Sequence, residues 1–228
     1  MTIRRDWRQQ LIATLTATIG ALLISFAAQA QDQPKSAQDV LAETTDRVLA
    51  VIDEAREYVD EDPERYYAAV HEVLDPVIDF RGFARGVMGE YATGARYRSL
   101  DEAGREKLRS QLDRFTETMR VGLVRTYSKG LLAFGGSRVE LDGEAESDPT
   151  ATRATLRQLI YSEDSSPYVV IYQMARDKSG QWRLRNLVVE NVNLGQIYRS
   201  QFEAAARRHE GDLDAVIDNW TAEANADS

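Results

Sequence analysis

The side chains able to do chemistry are few and scattered. The 228 residues include no cysteine and only two histidines, His71 and His209. Thiolate zinc sites, thiol nucleophiles and iron–sulfur clusters are therefore excluded, and a metal would need an all-carboxylate oxygen site. His71 falls in the polar part of an expected helix and His209 at the solvent-rich end of another, each without the partner and cleft that a general base requires. No G-x-S-x-G pentapeptide marks a serine nucleophile. Asp60, Glu61, Asp62 and Glu64 gather carboxylates but lack the alternating ligands and central glycine of a calcium loop, so they read as a solvated helix junction. Gly82, Gly86 and Gly89 follow no strand and precede no ribose-binding acid, which fits close helix packing better than a dinucleotide site. Two features keep a chemical reading open. Glu190, expected on the same strand face as Trp182 and Val188, would be a buried acid or base of an isomerase or dehydratase if that face lines an apolar pocket. Arg81, Arg85, Arg96 and Arg98 form a basic patch that either pairs with nearby acids or holds an anion such as a phosphate at a pocket rim.

The elements that would position these residues follow from periodicity. Ser36 and Asp39 form a capping box that opens a helix of about 24 residues, with Leu41, Val48, Ile52 and Ala55 on one stripe. Asp62-Pro63 starts a second helix that ends near Pro76. A short helical segment from Asp79 to Met88 follows, and Ser99-x-x-Glu102 opens the longest helix, whose bulky stripe runs Leu108, Leu112, Phe115, Met119, Leu123, Tyr127. From residue 137 the period drops to two. Val139 and Leu141, then Ala154, Leu156 and Ile160, then Val170, Tyr172 and Met174, then Trp182, Leu184 and Val188 mark four strands, with Asp177–Gly180 as a hairpin turn. Val169 and Ile171 make both faces of the third strand apolar, as suits a central position. Helices over about 195–208 and 213–222 close the chain. The expectation is a single α+β domain with a four-stranded antiparallel curled sheet and helices on one face. That layout makes either a packed core or a pocket, and periodicity does not choose between them.

Composition sets the surroundings. With 43% hydrophobic and 29% charged residues the chain can build a core. The net charge of -9 argues against nucleic acid or an anionic membrane face as the main partner. Arg4, Arg5 and Arg8 precede an apolar run from Leu11 to Ala28 that ends at Ala28-Gln29-Ala30, the order of a cleavable signal peptide. Cleavage after residue 30 removes three arginines and one aspartate and leaves 198 residues at -11, with 31–35 as a polar leader and 36–228 as the folded domain. Export without cysteine points to a bacterial periplasm.

Several stretches together resemble one family. Asp79-Phe80 through Val87-Met88-Gly89-Glu90-Tyr91, the helix with Phe115 and Arg125-Thr126-Tyr127, the strand Val170-x-Tyr172-x-Met174, and Trp182 to Leu187 running on to Tyr198-Arg199-Ser200-Gln201-Phe202 are similar to the MlaC family, also called toluene-tolerance proteins. The likeness covers roughly residues 36–220 in unbroken order. Asn186, and Glu190-Asn191-Val192-Asn193, depart from the family's usual residues, and a hopanoid-associated branch remains an alternative. The resemblance implies a non-enzymatic periplasmic carrier with a nuclear-transport-factor-like fold and an apolar pocket. Its ligand would be a phospholipid, with no cofactor or metal. It would shuttle that lipid between an inner-membrane ABC transporter complex and an outer-membrane lipoprotein complex, maintaining outer-membrane asymmetry. Burying about a dozen methylenes at about 0.8 kcal/mol each gives on the order of 10 kcal/mol, enough to hold a lipid through an aqueous compartment. Candidate walls are Phe80, Phe83, Val87 and Met88 on the glycine-containing segment, and Phe115, Met119, Leu123 and Tyr127 on the long helix. Val170, Tyr172, Met174 and Val188 would form the sheet floor, and Arg81 or Arg85 would touch the headgroup. A solid-cored adaptor is the competing reading.

Overall fold

Ser36 and Asp39 start the first helix as their spacing predicts: the Ser36 hydroxyl accepts from the Asp39 N–H and the Asp39 carboxylate accepts from the Ser36 N–H, each at 3.0 Å. The computed structural model describes residues 35–133, 138–142, 150–161 and 166–221, so the signal-peptide reading of 1–30 lies outside the described residues. Helix α1 covers Ala37–Ala55, 19 residues, and is shorter than expected because 56–61 unwinds into successive turns. Asp62 then caps α2 (Pro63–Leu74) through the Arg65 N–H, and Asp79 caps α3 (Phe80–Met88) through the Gly82 N–H. A methyl group at Gly82 would run into the Asp79 carboxylate, so this glycine is what lets the cap close.

A 3₁₀ turn (Gly89–Ala92) and a short helix α4 (Gly94–Ser99) come next. The long helix α5 spans Glu102–Ala133 and is capped by Asp101, which accepts from the Gly104 N–H at 2.8 Å; Ser99, the expected start, instead ends α4. After the sheet come α6 (Leu194–Arg208), capped by Asn193, and α7 (Leu213–Asp218), which stops four residues short of its expected end.

The sheet has five antiparallel strands in the order β1-β2-β3-β4-β5 and is open, where four were expected. They are β1 (Arg138–Asp142), β2 (Arg153–Tyr161), β3 (Tyr168–Arg176), β4 (Trp182–Val189) and the two-residue β5 (Val192–Asn193). As its two apolar faces suggested, β3 is the middle strand. The far end of β4 is covered by a parallel contact: Leu184 donates to the Val77 carbonyl at 2.8 Å and accepts from the Asp79 N–H at 3.0 Å. A bulge interrupts the β3–β4 register, which pairs Gln173 with Asn186 but Met174 with Leu184, leaving Arg185 as the extra residue. Beyond it the faces exchange. Leu187 and Val189 stand opposite Tyr172 and Val170, while Val188 stands opposite Ile171 on the other face.

Three apolar clusters result. Helix α5 packs Phe115 and Met119 against α3, α6 and α7 in the first, where Phe115 lies 5.0 Å from Phe202 and 5.2 Å from Trp220 between ring centres. Further along, the buried stripe of α5 shifts to Val124, which joins Tyr66, Val70 and Ile52 in the second, and to Ser128, whose carbonyl accepts from the Tyr66 hydroxyl; Leu123 touches both clusters. Ala37 joins Ala154, Met174 and Trp182 in the third, on the sheet.

Candidate functional site

The register puts Ala154, Leu156, Gln158 and Ile160 of β2 opposite Met174, Tyr172, Val170 and Tyr168 of β3, so these eight share one face, the face that α1 covers. Gln158 is a polar residue in an apolar phase and is 3% exposed. Its burial is compensated by a chain of hydrogen bonds across the layers. The Tyr172 hydroxyl donates to Gln158 Oε1 at 2.7 Å, Gln158 Nε2 donates to Thr45 Oγ1 at 3.0 Å, and that hydroxyl donates to the Leu41 carbonyl at 2.9 Å. Burial pushes the Tyr172 phenol pKa up, although the side chain keeps part of its surface.

That face does not form one continuous cluster, although Val170 on it is buried and Ile160, Leu187 and Val189 are half-buried. Ala154, Met174 and Trp182 belong to the third cluster, with Leu156, Tyr172 and Leu184 against it. Ile160, Val170, Leu187 and Val189 share the face but belong to none of the three clusters. On the helices, the Tyr127 and Tyr198 hydroxyls meet at 3.4 Å, and the Phe83 ring stands edge-on to Tyr198 at 6.1 Å. Burial raises the pKa of both phenols, and contact with Tyr127 raises that of Tyr198 further, so the pair is neutral across the physiological range.

The predicted wall residues are distributed among these regions. Val87, Met88, Phe115 and Met119 are fully buried in the first cluster, with Phe83 and Leu123 at its margin. Phe80 lies in the second cluster, Met174 and Tyr172 in the third, and Val170 outside all of them. Tyr127 is 38% exposed, a departure from the expected stripe caused by the shift of α5 packing to Val124 and Ser128. Val188 is not part of the floor, because the bulge at Arg185 turns it to the opposite face; Leu187 and Val189 take that place. Two polar residues in a row, Arg185-Asn186, between Leu184 and Leu187 are the sequence signal of that bulge. Glu190 does not enter an apolar pocket. It is exposed in the turn after β4 at φ 48°, and its carboxylate accepts from the Val169 N–H.

A second region is polar. A groove of about 1650 Å³ opens between the β3–β4 hairpin, the exposed side of α3, and the α4–α5 junction, and both headgroup candidates line it. Arg81 is engaged by Asp113, whereas Arg85 has no ion pair with a described residue. The floor includes Ile78, Leu108 and Leu112, so this is a mixed groove and not the apolar pocket that was expected. The carboxylates near Asp60 act as the junction suggested: Asp62 caps α2 and Glu64 pairs with Arg125 at 2.7 Å. His71 stands 3.7 Å from Asp75. Among the described residues, no three His, Cys, Asp or Glu side chains gather to hold a metal.

Comparison with known proteins gives a consistent picture. The family model described as MlaC protein matches residues 42–222. A toluene tolerance protein, Ttg2D of Pseudomonas putida, is 27% identical over 185 residues, which is 81% of this chain and 80% of that relative. Among solved structures, a phospholipid-binding protein from Ralstonia solanacearum in complex with a phospholipid superposes with a TM-score of 0.66 at 17% identity, over 81% of this chain and 94% of its own. At that identity the likeness speaks for the fold.

Proposed function

The chain belongs to the MlaC family, and from that premise we propose that it is a phospholipid carrier. It holds the acyl chains against the helix-covered face of the sheet and performs no chemistry on them. The observation that carries this reading is the set of half-buried apolar residues Ile160, Leu187 and Val189, which lie on that face around the buried Val170 and join none of the packed clusters. Such surface in a folded domain is where a hydrocarbon chain gains most, at about 0.8 kcal/mol for each methylene removed from water. Tyr127, Tyr198 and Phe83 supply an aromatic border on the helices, and Leu123 lies between the two helical clusters. The solved relative bound to a phospholipid supports the ligand class.

In this reading the N-terminal segment exports the chain to the periplasm, where the carrier receives lipid from one membrane system and yields it to another. The proposed stations are an inner-membrane ABC transporter complex and an outer-membrane lipoprotein complex, and the proposed consequence is maintenance of outer-membrane lipid asymmetry. Loading and release would follow from relative affinities at each station. Glu190, the residue that invited an enzymatic alternative, stands in an exposed turn.

Native mass spectrometry of the purified mature protein, with lipid extraction, tests the proposal. The expected result is a co-purifying phospholipid, and Leu187→Trp, at a half-buried position on that face outside the packed clusters, lowers its occupancy by about tenfold while the melting temperature stays within about 4 °C of the parent. A lipid-free protein that also takes up nothing from phosphatidylethanolamine–phosphatidylglycerol vesicles would overturn it.

A further inference from the structure

The chain carries -9, yet nine arginine and lysine side chains line the groove beside α3 against four carboxylates. This concentration of positive charge runs against the rest of the molecule. Part of it is neutralised locally. Arg81 pairs with Asp113, Arg185 with Asp79, and Arg183 with Asp177. Arg109 pairs with Glu106, and Arg176 donates to the Ala151 and Gly180 carbonyls. Arg85, Arg98 and Lys178 have no ion pair or hydrogen bond with a described residue through their side chains, and of the lining carboxylates Glu90 and Glu203 have no ion pair with one. Arg199 spends one nitrogen on the Gly86 carbonyl, at 2.9 Å, and has no carboxylate partner.

We propose that this groove is a docking surface for an acidic polypeptide segment of a partner protein. Three features favour a polypeptide over a membrane surface. The site is a concave trench of about 1650 Å³, whereas a flat bilayer would reach only its rim. Its lining sets half-buried Ile78 and Tyr97, with the mostly buried Leu108 and Leu112, among basic side chains, an arrangement that receives a chain alternating apolar and acidic side chains. Eight of the nine cations are arginines, whose planar forks bind carboxylates in pairs of hydrogen bonds. The paired arginines add rigidity: Asp79 both caps α3 and holds Arg185, so the wall contributed by β4 is fixed to the wall contributed by α3. Nothing in this inference requires a bound lipid.

The test uses the mature protein and a fluorescein-labelled synthetic peptide of alternating glutamate and leucine, read by fluorescence anisotropy at about 0.02 M and about 0.2 M salt. The peptide is expected to bind, and to weaken at the higher salt. The double variant Arg98→Glu/Lys178→Glu, both positions exposed, is expected to lose on the order of tenfold or more in affinity at low salt. A charge-matched control, Arg207→Glu/Arg208→Glu at the exposed end of α6 and outside the groove, is expected to bind like the parent. Absence of peptide binding, or equal loss in both variants, would overturn the proposal. Binding to phosphatidylglycerol vesicles that the Arg98→Glu/Lys178→Glu variant loses, without peptide binding, would also overturn it, in favour of a membrane contact. Lipid occupancy measured on the same samples separates failure of this inference from failure of the carrier reading.

Discussion

Replacing Gln158 with leucine should destabilise the protein far more when Tyr172 keeps its hydroxyl than when it does not. In the native protein Tyr172 donates to Gln158 at 2.7 Å, and Gln158 donates onward to Thr45 at 3.0 Å. Gln158→Leu strands the Tyr172 hydroxyl, at about 1–3 kcal/mol, and removes the Thr45 contact, at about 1 kcal/mol. Thr45 itself stays satisfied through the Leu41 carbonyl. Tyr172→Phe strands Gln158 Oε1 instead, again at about 1–3 kcal/mol. The double variant removes both ends of the bond together, so only the loss of the Thr45 contact remains, about 1 kcal/mol. The two single costs should therefore exceed the double cost by about 2–6 kcal/mol, the sum of the two stranding penalties. Urea denaturation of the four proteins measures this directly, as shifts in midpoint at constant slope. Additivity within about 0.5 kcal/mol would refute the reasoning, because it would mean that water reaches both groups in the native state and compensates each deletion.

Three further outcomes rest on two residues. Tyr66 is fully buried and its hydroxyl donates to the Ser128 carbonyl at 3.0 Å, joining α2 to α5, so Tyr66→Phe should cost about 1 kcal/mol, seen as a melting point lower by about 2–4 °C. Burial also pushes the Tyr66 phenol up to about 12 from 10.0, so its contribution is intact below pH 10 and is lost as the pH rises toward 12; Tyr66→Phe should flatten the alkaline stability profile in that window. Asp177 is held down to about 2, first by the Ser179 hydroxyl and then by Arg183 and the Gln181 and Ser179 N–H groups. Its contribution is complete above its ordinary 3.8 and is lost as the pH falls through about 2, so a carboxyl-carbon NMR titration should give a midpoint near 2, and a midpoint near 3.8 would show that the hairpin bonds do not form in solution.

How much of this was legible in the sequence depends on whether a residue's role is local. Ser36 with Asp39, Asp62 with Pro63, and the turn at Asp177–Gly180 act within a few residues of themselves, and each stands where its spacing places it. The long helix was legible as a helix but not in its loading. Its stripe turns from Met119 to Val124 and Ser128 because α6 packs on its first half and α2 on its second, a fact about the partners that one helix's periodicity does not hold. Gln158 shows the same limit from the other side. Alternation places it on the buried face correctly, but only the register with β3 and the approach of α1 supply Tyr172 and Thr45 as its partners.

The bulge at Arg185 has the widest consequence for the site. A strict period of two assigns Val188 to the floor and Glu190 to the same apolar face, which is what made an acid–base role conceivable. One extra residue in β4 reverses the strand beyond it. Leu187 and Val189 come to the floor, Val188 leaves it, and Glu190 falls in the turn that leads to β5. It also places Arg185 against Asp79 at the head of α3, beside the groove. The same local irregularity therefore keeps the sheet's helix-facing side apolar near β5 while adding a cation to the basic wall. In the proposed reading, β4 then contributes to both the lipid-facing surface, through Leu187 and Val189, and the docking groove, through Arg183 and Arg185.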